Sequence, residues 1–328
     1  NTFIRILCLV VISINMAFSQ GPNVDFSKKP PSLDSLFPKI AAEKNDSARY
    51  YLTMTALTIS ETNPVEDMHN SEKILLYGQK NNDLICQGLG YSCLSYDYLA
   101  FGDQVKSLKY GILANQVAEK ANDDRLKTFG KAMLALTYLT MGDFEKAISY
   151  NKAAIEAGSK YEPDIISICA VNDMGTIYLA MNKVDSALIY TQQAYELAIK
   201  TGINYWLTST YLQFGSIHQA LNNPALALNY WNLALNEARK INSPKFQSIA
   251  YNAISKYYFT NNQIDSAKKY FRSATEIDPL DASYFSNLAA VYERTRQYDS
   301  AFYCLNKALE LSPGNAQIYN SIALLYRK

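Results

Sequence analysis

Few residues in the sequence have the types and spacing that catalysis or metal binding requires. His69 and His218 are its only histidines, and no cysteine has a second cysteine or a histidine at metal-ligand spacing. The segment Gly88-Leu89-Gly90 lacks the third glycine of a dinucleotide-binding loop, and no G-x-x-x-x-G-K-[ST] phosphate loop occurs. We therefore predict a non-enzyme with no cofactor and no metal. The alternative, a hydrolase that uses His218, would have to show an activity that His218→Ala abolishes.

The balance of charges and residue types restricts the class of protein further. The 328 residues include 31 Lys and Arg against 30 Asp and Glu, whereas a nucleic-acid-binding protein needs a basic face. We therefore predict no nucleic-acid partner. Apolar residues make up 48% of the chain, which is too many for intrinsic disorder. Only 13 Gly and 10 Pro occur, which favours long helices over many short strands.

The N-terminus has the pattern of a secretion signal. Arg5 precedes a short apolar run from Ile6 to Phe18, and Ala17-Phe18-Ser19 resembles a signal-peptidase site. We predict a signal peptide at residues 1–19, cleavage after Ser19 and export to the periplasm or medium. No later apolar run is long enough to span a membrane. The remaining cysteines are predicted to be small buried residues: Cys86, Cys93, Cys169 and Cys304.

The rest of the chain repeats one pattern. Small residues recur at 40-residue steps and then at one 34-residue step: Ser107, Ala147, Ala187, Ala227, Ala267 and Ala301. Seven residues after each stands an alanine: Ala114, Ala154, Ala194, Ala234, Ala274 and Ala308. Another small residue stands twelve residues before each member of the first list, and a bulky apolar residue stands thirteen before it. A tyrosine stands nine residues before each member of the first list, except in one copy. There the position holds His218, which we interpret as a packed aromatic substitute.

These columns predict pairs of helices. Apolar residues recur at i, i+3 and i+4, which is one face of a helix, and polar breakers such as Asn222-Asn223-Pro224 separate the two helices. A small residue lets two antiparallel helices approach closely. Asp185, Asp265 and Asp299 recur just before the first alanine, so we interpret them as first-turn residues that complement the helix dipole.

The sequence resembles the tetratricopeptide repeat (TPR) family in its small residues, tyrosine column and paired alanines. The 34-residue step is the family's standard period. The 40-residue steps resemble a bacterial variant whose second helix is about one turn longer. The resemblance implies an all-α fold, a right-handed superhelical solenoid of antiparallel helix pairs. We predict an irregular leader at 20–46 and a TPR array at 47–328. Its pairs are a degenerate one at about 47–80, then 88–127, 128–167, 168–207, 208–247, 248–281 and 282–315, and an incomplete one at 316–328.

In this family, ligand peptides lie in the concave groove formed by the first helices of the pairs. The resemblance therefore implies a protein or peptide partner. The positions expected to face the groove are mostly neutral and polar: Asn172, Thr176, Ser216, Gln219, Asn252, Lys256, Asn287 and Glu293. TPR domains that bind a C-terminal carboxylate use several groove Lys and Arg. Only Asn287 and Lys256 partly match, so that activity is not expected.

The leading prediction is an exported TPR scaffold. The alternative is that the chain is the extracytoplasmic sensor portion of a longer membrane protein, because its last helix carries interior residues such as Ile318 and Ile322. In the signalling proteins that it resembles, such an array precedes a membrane helix and a histidine kinase or helix-turn-helix regulator.

Overall fold

The computed structural model describes residues 33–57, 64–159 and 165–328. These residues form sixteen α-helices, and no strand occurs among them. The prediction of an all-α fold built from antiparallel helix pairs is confirmed. The predicted signal peptide at residues 1–19 lies outside the described residues. The chain divides into two compact units, here called the N-terminal unit, which ends at Thr210, and the C-terminal unit, which begins at Tyr211.

The helices follow one another with short connections. In chain order they are α1 Leu33–Ala42, α2 Asp46–Leu57, α3 Pro64–Lys80, α4 Leu84–Ala100, α5 Gln104–Ala121, α6 Asp124–Met141, α7 Phe144–Gly158, α8 Ile165–Ala180, α9 Val184–Thr201, α10 Asn204–Ala220, α11 Pro224–Lys240, α12 Pro244–Thr260, α13 Ile264–Ile277, α14 Ala282–Arg294, α15 Tyr298–Leu311 and α16 Ala316–Leu325. We call the even-numbered helices from α4 to α14 the first helices and their odd-numbered partners, α5 to α15, the second helices.

The N-terminal end differs from its prediction. Helix α1 lies inside the segment 20–46 that the sequence analysis assigned to an irregular leader. Helix α3 packs closely against α4. A Cβ added to Gly90 of α4 would lie only 2.9 Å from the Cβ of Leu75 on α3. Helix α2 reaches α4 through Thr53, whose Oγ1 lies 3.6 Å from Sγ of Cys86. Both partners of the predicted degenerate pair at 47–80, α2 and α3, therefore contact α4.

The turn between two helices uses a repeated local chemistry. Gly102 and Gly142 adopt positive φ angles of 83° and 79°, and Asn182, Asn222 and Asn262 adopt the same left-handed conformation. A left-handed residue ends a helix because it turns the next N–H back onto the last carbonyl groups. An aspartate often follows and caps the next helix through its carboxylate, as Asp103 does toward the N–H of Lys106. These turns keep consecutive helices antiparallel.

The columns of small residues lie where the helices touch. Ala147, Ala187, Ala227, Ala267 and Ala301 are all 0% exposed. Gly215 of α10 shows how close the approach is, since a Cβ there would lie 2.2 Å from Nε1 of Trp231 on α11. A larger side chain at such a position would hold the two backbones apart. The predicted packing role of these columns is confirmed.

The six extra residues of the 40-residue repeat lengthen both helices. First helices α4 to α12 have 16 to 18 residues, whereas α14 has 13. Second helices α5 to α11 have 15 to 18 residues, whereas α13 and α15 have 14. The second helix is longer, as the resemblance implied, and the first helix is longer as well. Both helices are extended at the end away from the turn that joins them.

The aromatic column of the first helices stacks on tyrosines that lie three residues after the small residue on the second helices, in five successive pairs. The ring centroids lie 5.3 to 5.4 Å apart and the ring planes differ by at most 16°. The pairs are Tyr98–Tyr110, Tyr138–Tyr150, Tyr178–Tyr190, His218–Tyr230 and Tyr258–Tyr270. The interpretation of His218 as an aromatic substitute is confirmed. Such stacks add to the area buried between the two helices.

The substitution Gly215→Ala tests the close approach of α10 and α11. We expect the added methyl group to displace the buried Trp231 side chain and to lower the free energy of unfolding by about 1–3 kcal/mol. Far-UV circular dichroism during heating should therefore show earlier melting. Gly314→Ala is the matched control, because a Cβ there has no neighbouring heavy atom within 4 Å. Equal melting of the two variants would contradict this packing.

Candidate functional site

Three levels of polar contact join the first helices α12 and α14 in the C-terminal unit. Ser248 Oγ lies 3.2 Å from the Tyr284 hydroxyl, and Asn287 Nδ2 donates to Asn252 Oδ1 at 2.9 Å. At the third level, Arg294 donates to the backbone carbonyl of Phe259 at 3.3 Å. We call this row the α12–α14 seam. It brings together Asn252 and Asn287, two of the predicted groove residues.

The bond between Asn252 and Asn287 uses only part of the hydrogen-bonding capacity of their side-chain amides. A side-chain amide holds one acceptor oxygen and two N–H donors. Among the described residues, Asn252 Nδ2 and Asn287 Oδ1 form no further hydrogen bond. Asn252 is 5% exposed and Asn287 is half-buried. The pair therefore keeps an unbonded amide nitrogen on Asn252 and an unbonded amide oxygen on Asn287.

Charged residues lie further along the same two helices. Lys256 follows Asn252 by one helical turn and is half-buried on the same face of α12. Arg294 is exposed, and its guanidinium lies 5.0 Å from the centroid of the Phe259 ring. Glu293 accepts a hydrogen bond from Lys328, so its charge is compensated. Lys256 and Arg294 thus place two basic side chains along the seam.

The other predicted groove residues are placed differently. Asn172 and Thr176 of α8 are 1% and 2% exposed, so neither side chain contacts solvent in this conformation. Ser216 is half-buried, and its hydroxyl donates to the Leu212 carbonyl at 3.1 Å. Gln219 is exposed at the end of α10. The Thr176 hydroxyl donates to the Asn172 carbonyl at 3.4 Å within α8, whereas the Asn252–Asn287 bond joins predicted residues of two different helices.

Sequence reasoning missed a buried carboxyl group on α8. Asp173 is 6% exposed and lines a narrow crevice between α6 and α8. The opposite wall is apolar and includes Leu136 and Leu139. Burial raises the pKa of Asp173 well above its ordinary value, while a hydrogen bond from the Cys169 thiol lowers it slightly. The only sign of this group in the sequence was that Asp173 directly follows Asn172, a predicted groove residue.

A second buried carboxyl group lies between α3 and α4. Asp97 of α4 is 5% exposed, and burial raises its pKa to about 8. The hydrogen bond with Ser71 opposes this rise, and the nearby carboxylates of Asp67 and Glu72 add to it. At neutral pH the Asp97 carboxyl group is therefore largely protonated in the folded chain.

The four described cysteines are buried, and His218 is stacked on a tyrosine ring. All four described cysteines are free and buried, as predicted. Burial raises the pKa of the Cys86 thiol to about 12 and that of the Cys304 thiol to about 11, which disfavours the nucleophilic thiolate. His218 stacks on Tyr230, and burial lowers its pKa. Within the described ranges, no three His, Cys, Asp or Glu side chains form a cluster that could hold a metal ion.

Among the described helices, none combines the length and apolar character needed to cross a bilayer.

The sequence matches a known repeat family at three places. The tetratricopeptide repeat profile matches residues 282–315, which are the bounds predicted for the sixth clear pair. A second tetratricopeptide repeat profile matches residues 131–157 and 249–279. No protein of curated function matches the sequence significantly.

Solved structures with the same fold have low sequence identity to this chain. A Rap protein complexed with competence and sporulation factor has a TM-score of 0.59 and 14% identity, covering 90% of this chain and 94% of its own. Yeast Tom70 has a TM-score of 0.59 and 11% identity, with 87% and 64% covered. A STAND-type signal transduction ATPase with a tetratricopeptide repeat sensor from Pyrococcus horikoshii has a TM-score of 0.53 and 15% identity, with 98% and 52% covered.

The variant Asp97→Asn tests the buried carboxyl group. The folded pKa of Asp97 lies above the unfolded value, so the folded state binds the extra proton and stability falls as pH rises from about 4 to about 8. Asparagine keeps an acceptor for Ser71 but cannot ionise. We therefore expect the variant to melt several degrees higher than the parent chain at pH 8, with little difference at pH 4.

The matched control for this prediction is Asp299→Asn, a change at an exposed carboxylate on α15. Melting curves of the three chains between pH 4 and pH 9 give the comparison. The assignment is wrong if Asp97→Asn and the parent chain lose stability in parallel as the pH rises.

Proposed function

Because the chain belongs to the tetratricopeptide repeat family, we propose that it is a non-catalytic scaffold that holds a segment of a protein or peptide on its first helices. The TPR fold is a protein-binding architecture, and the helix pairs provide it. The observation that carries this proposal is the Asn252–Asn287 pair on the α12–α14 seam.

The amide pair suits an extended peptide backbone. A peptide unit has one N–H donor and one C=O acceptor, and each needs a partner when the segment leaves water. Asn287 Oδ1 can accept from such an N–H, while Asn252 Nδ2 can donate to the C=O. This recognition uses the backbone and is independent of the side chains of the ligand.

The surrounding charges favour a ligand that is neutral or acidic. Lys256 and Arg294 both lie on the seam, and Glu293 is compensated by Lys328. A cluster of positive charge attracts anionic partners over about a Debye length, roughly 8–10 Å at ordinary salt. We propose that acidic residues of the ligand, next to its bound backbone, strengthen binding. Because salt screens the attraction between charges, the affinity for such a ligand is lower at high salt.

We also propose that the chain works outside the cytoplasm. The support is the apolar run that ends at Ala17-Phe18-Ser19. The alternative role, the sensor portion of a signalling protein, is favoured by the similarity to the STAND-type protein with a tetratricopeptide repeat sensor. Both roles use the same seam to bind a ligand.

The seam is tested with the double variant Asn287→Ala/Lys256→Ala. Peptides are first selected with the immobilised parent chain from a phage-displayed library of random peptides. Each enriched peptide is then synthesised, and its affinity is measured by fluorescence anisotropy. We expect the double variant to bind these peptides at least about tenfold more weakly. It lacks the Asn287 side-chain oxygen that accepts from the peptide N–H, and it lacks the positive charge of Lys256.

The matched control is Lys307→Ala, which removes an exposed lysine from the second helix α15. It should bind the selected peptides like the parent chain. Circular dichroism should show equal helix content in all three proteins. If no peptide is enriched, or if the double variant binds the peptides as tightly as the control does, the seam is not the binding site.

A further inference from the structure

Helix α16 repeats the residue columns of a first helix. Ala323 precedes Tyr326, the C-cap residue of α16, by three positions, as the small residue Ala289 precedes Tyr292 on α14. Each of these two residues on α16 follows its counterpart on α14 by 34 residues, which is also the last step of the alanine columns. Helix α16 therefore holds the place of a first helix after the second helix α15.

Two ring contacts confirm this register. On α13, Lys268 directly follows the small residue of its column, and its Nζ lies 4.6 Å from the centroid of the Tyr292 ring. On α15, Phe302 holds the same place, and its ring centroid lies 4.7 Å from that of Tyr326. Tyr326 thus meets the preceding second helix at the position where Tyr292 meets its own.

Another side of α16 is exposed. In the complete pairs, the small residue and the aromatic residue of a first helix are covered by its second helix, as the ring stacks show. On α14, Ala289 is buried and Tyr292 is 8% exposed, whereas on α16 Ala323 is exposed and Tyr326 is 78% exposed. Tyr319 is also exposed, and it lies one turn before Ala323. We call Tyr319, Ala323 and Tyr326 the open face of α16.

Helix α12 shows what such a face holds when it is covered. Tyr251 and Tyr258 of α12 both contact Tyr270 of the second helix α13, with ring centroids 5.9 and 5.4 Å from that of Tyr270. Ser255, the small residue between them, is buried. The open face of α16 has the same order, a tyrosine, a small residue four positions later and a tyrosine three positions after that. An aromatic side chain placed between its two rings would gain the same contacts.

Helix α15 shows what else a covering helix needs. Its residues Ala301, Cys304, Leu305 and Ala308 are all buried, in one core cluster with residues of α14. The two alanines lie seven residues apart, which is about two helical turns, so they share one side of α15. A helix that pairs with α16 therefore needs two small residues seven positions apart and an apolar or aromatic residue three positions after the first.

We propose that the open face of α16 is a docking site for an amphipathic helix of a partner protein, and that this helix has the residue pattern of a second helix. The supporting argument is continuity with the pairs already formed, because the same columns on α12 and α14 are covered by second helices. Docking would bury two tyrosine rings, which supply a large apolar area. The site uses other residues than the α12–α14 seam and takes a helix, so it does not rest on the proposed function.

The test uses the full chain and, as the probe, a fluorescein-labelled peptide of residues 262–279, which include α13. A lactam bridge between Asp265 and Lys269, both exposed in the chain, keeps the probe helical and leaves its buried side unchanged. Binding is measured by fluorescence anisotropy. We expect the parent chain to bind the probe, and Ala323→Glu and Tyr319→Ala each to bind it at least about tenfold more weakly. The first variant prevents the close approach, and the second removes one ring contact.

Matched controls accompany the test. Tyr303→Ala removes an exposed tyrosine from α15 outside the open face, and this variant should bind the probe like the parent chain. A probe carrying Ala267→Glu should bind the parent chain at least about tenfold more weakly. Both α16 variants keep the buried residues Ile318 and Leu325, so circular dichroism should show the helix content of the parent chain.

Three results would overturn the proposal. One is the absence of probe binding to the parent chain. Another is equal binding to the parent chain and to both α16 variants, since the probe would then occupy a different site, such as that of α13 on α12. The third is a probe that slows amide hydrogen exchange in α12 and leaves exchange in α16 unchanged.

Discussion

The close approach of helices at buried small residues is the constraint on which the rest of this structure depends. At Ala147, Ala187 and Ala227 no side-chain surface is left exposed, and at Gly215 even a methyl group would overlap Trp231. Because each first helix is held this closely to its second helix, the remaining faces have a fixed direction. One face of each first helix can then pack against the first helix of the next pair. The α12–α14 seam forms on this face.

The two units use this face in different ways. In the C-terminal unit it carries amides and positive charge, and its side chains reach across from α12 to α14. In the N-terminal unit α2 contacts the N-terminal ends of α4 and α6, and Asp173 is enclosed between α6 and α8. The first helices of the two units therefore carry different polar groups. The difference comes from a few residues at equivalent positions, such as Cys93 and Asn287.

The sequence predicted the helix pairs well because their spacing is set by close packing, which only small residues permit. It did not predict the additional turn of the first helices, since those residues lie outside the repeated columns. It also gave Asn252 and Asn287 as separate candidates. Their hydrogen bond joins two different repeat positions, and a column-by-column comparison does not pair these. Asn172 and Thr176 were expected at a surface, yet the packing of α8 buries them. An aspartate such as Asp97 looks the same in the sequence whether it is buried or solvated.

The central claim is that the first helices bind the ligand. Hydrogen–deuterium exchange of the full chain, with and without a library-selected peptide, tests it most directly because it reports each helix separately. The account predicts that the peptide slows exchange in α12 and α14 and leaves α13 and α15 unchanged. Slower exchange in α13 and α15, with α12 and α14 unchanged, would contradict it.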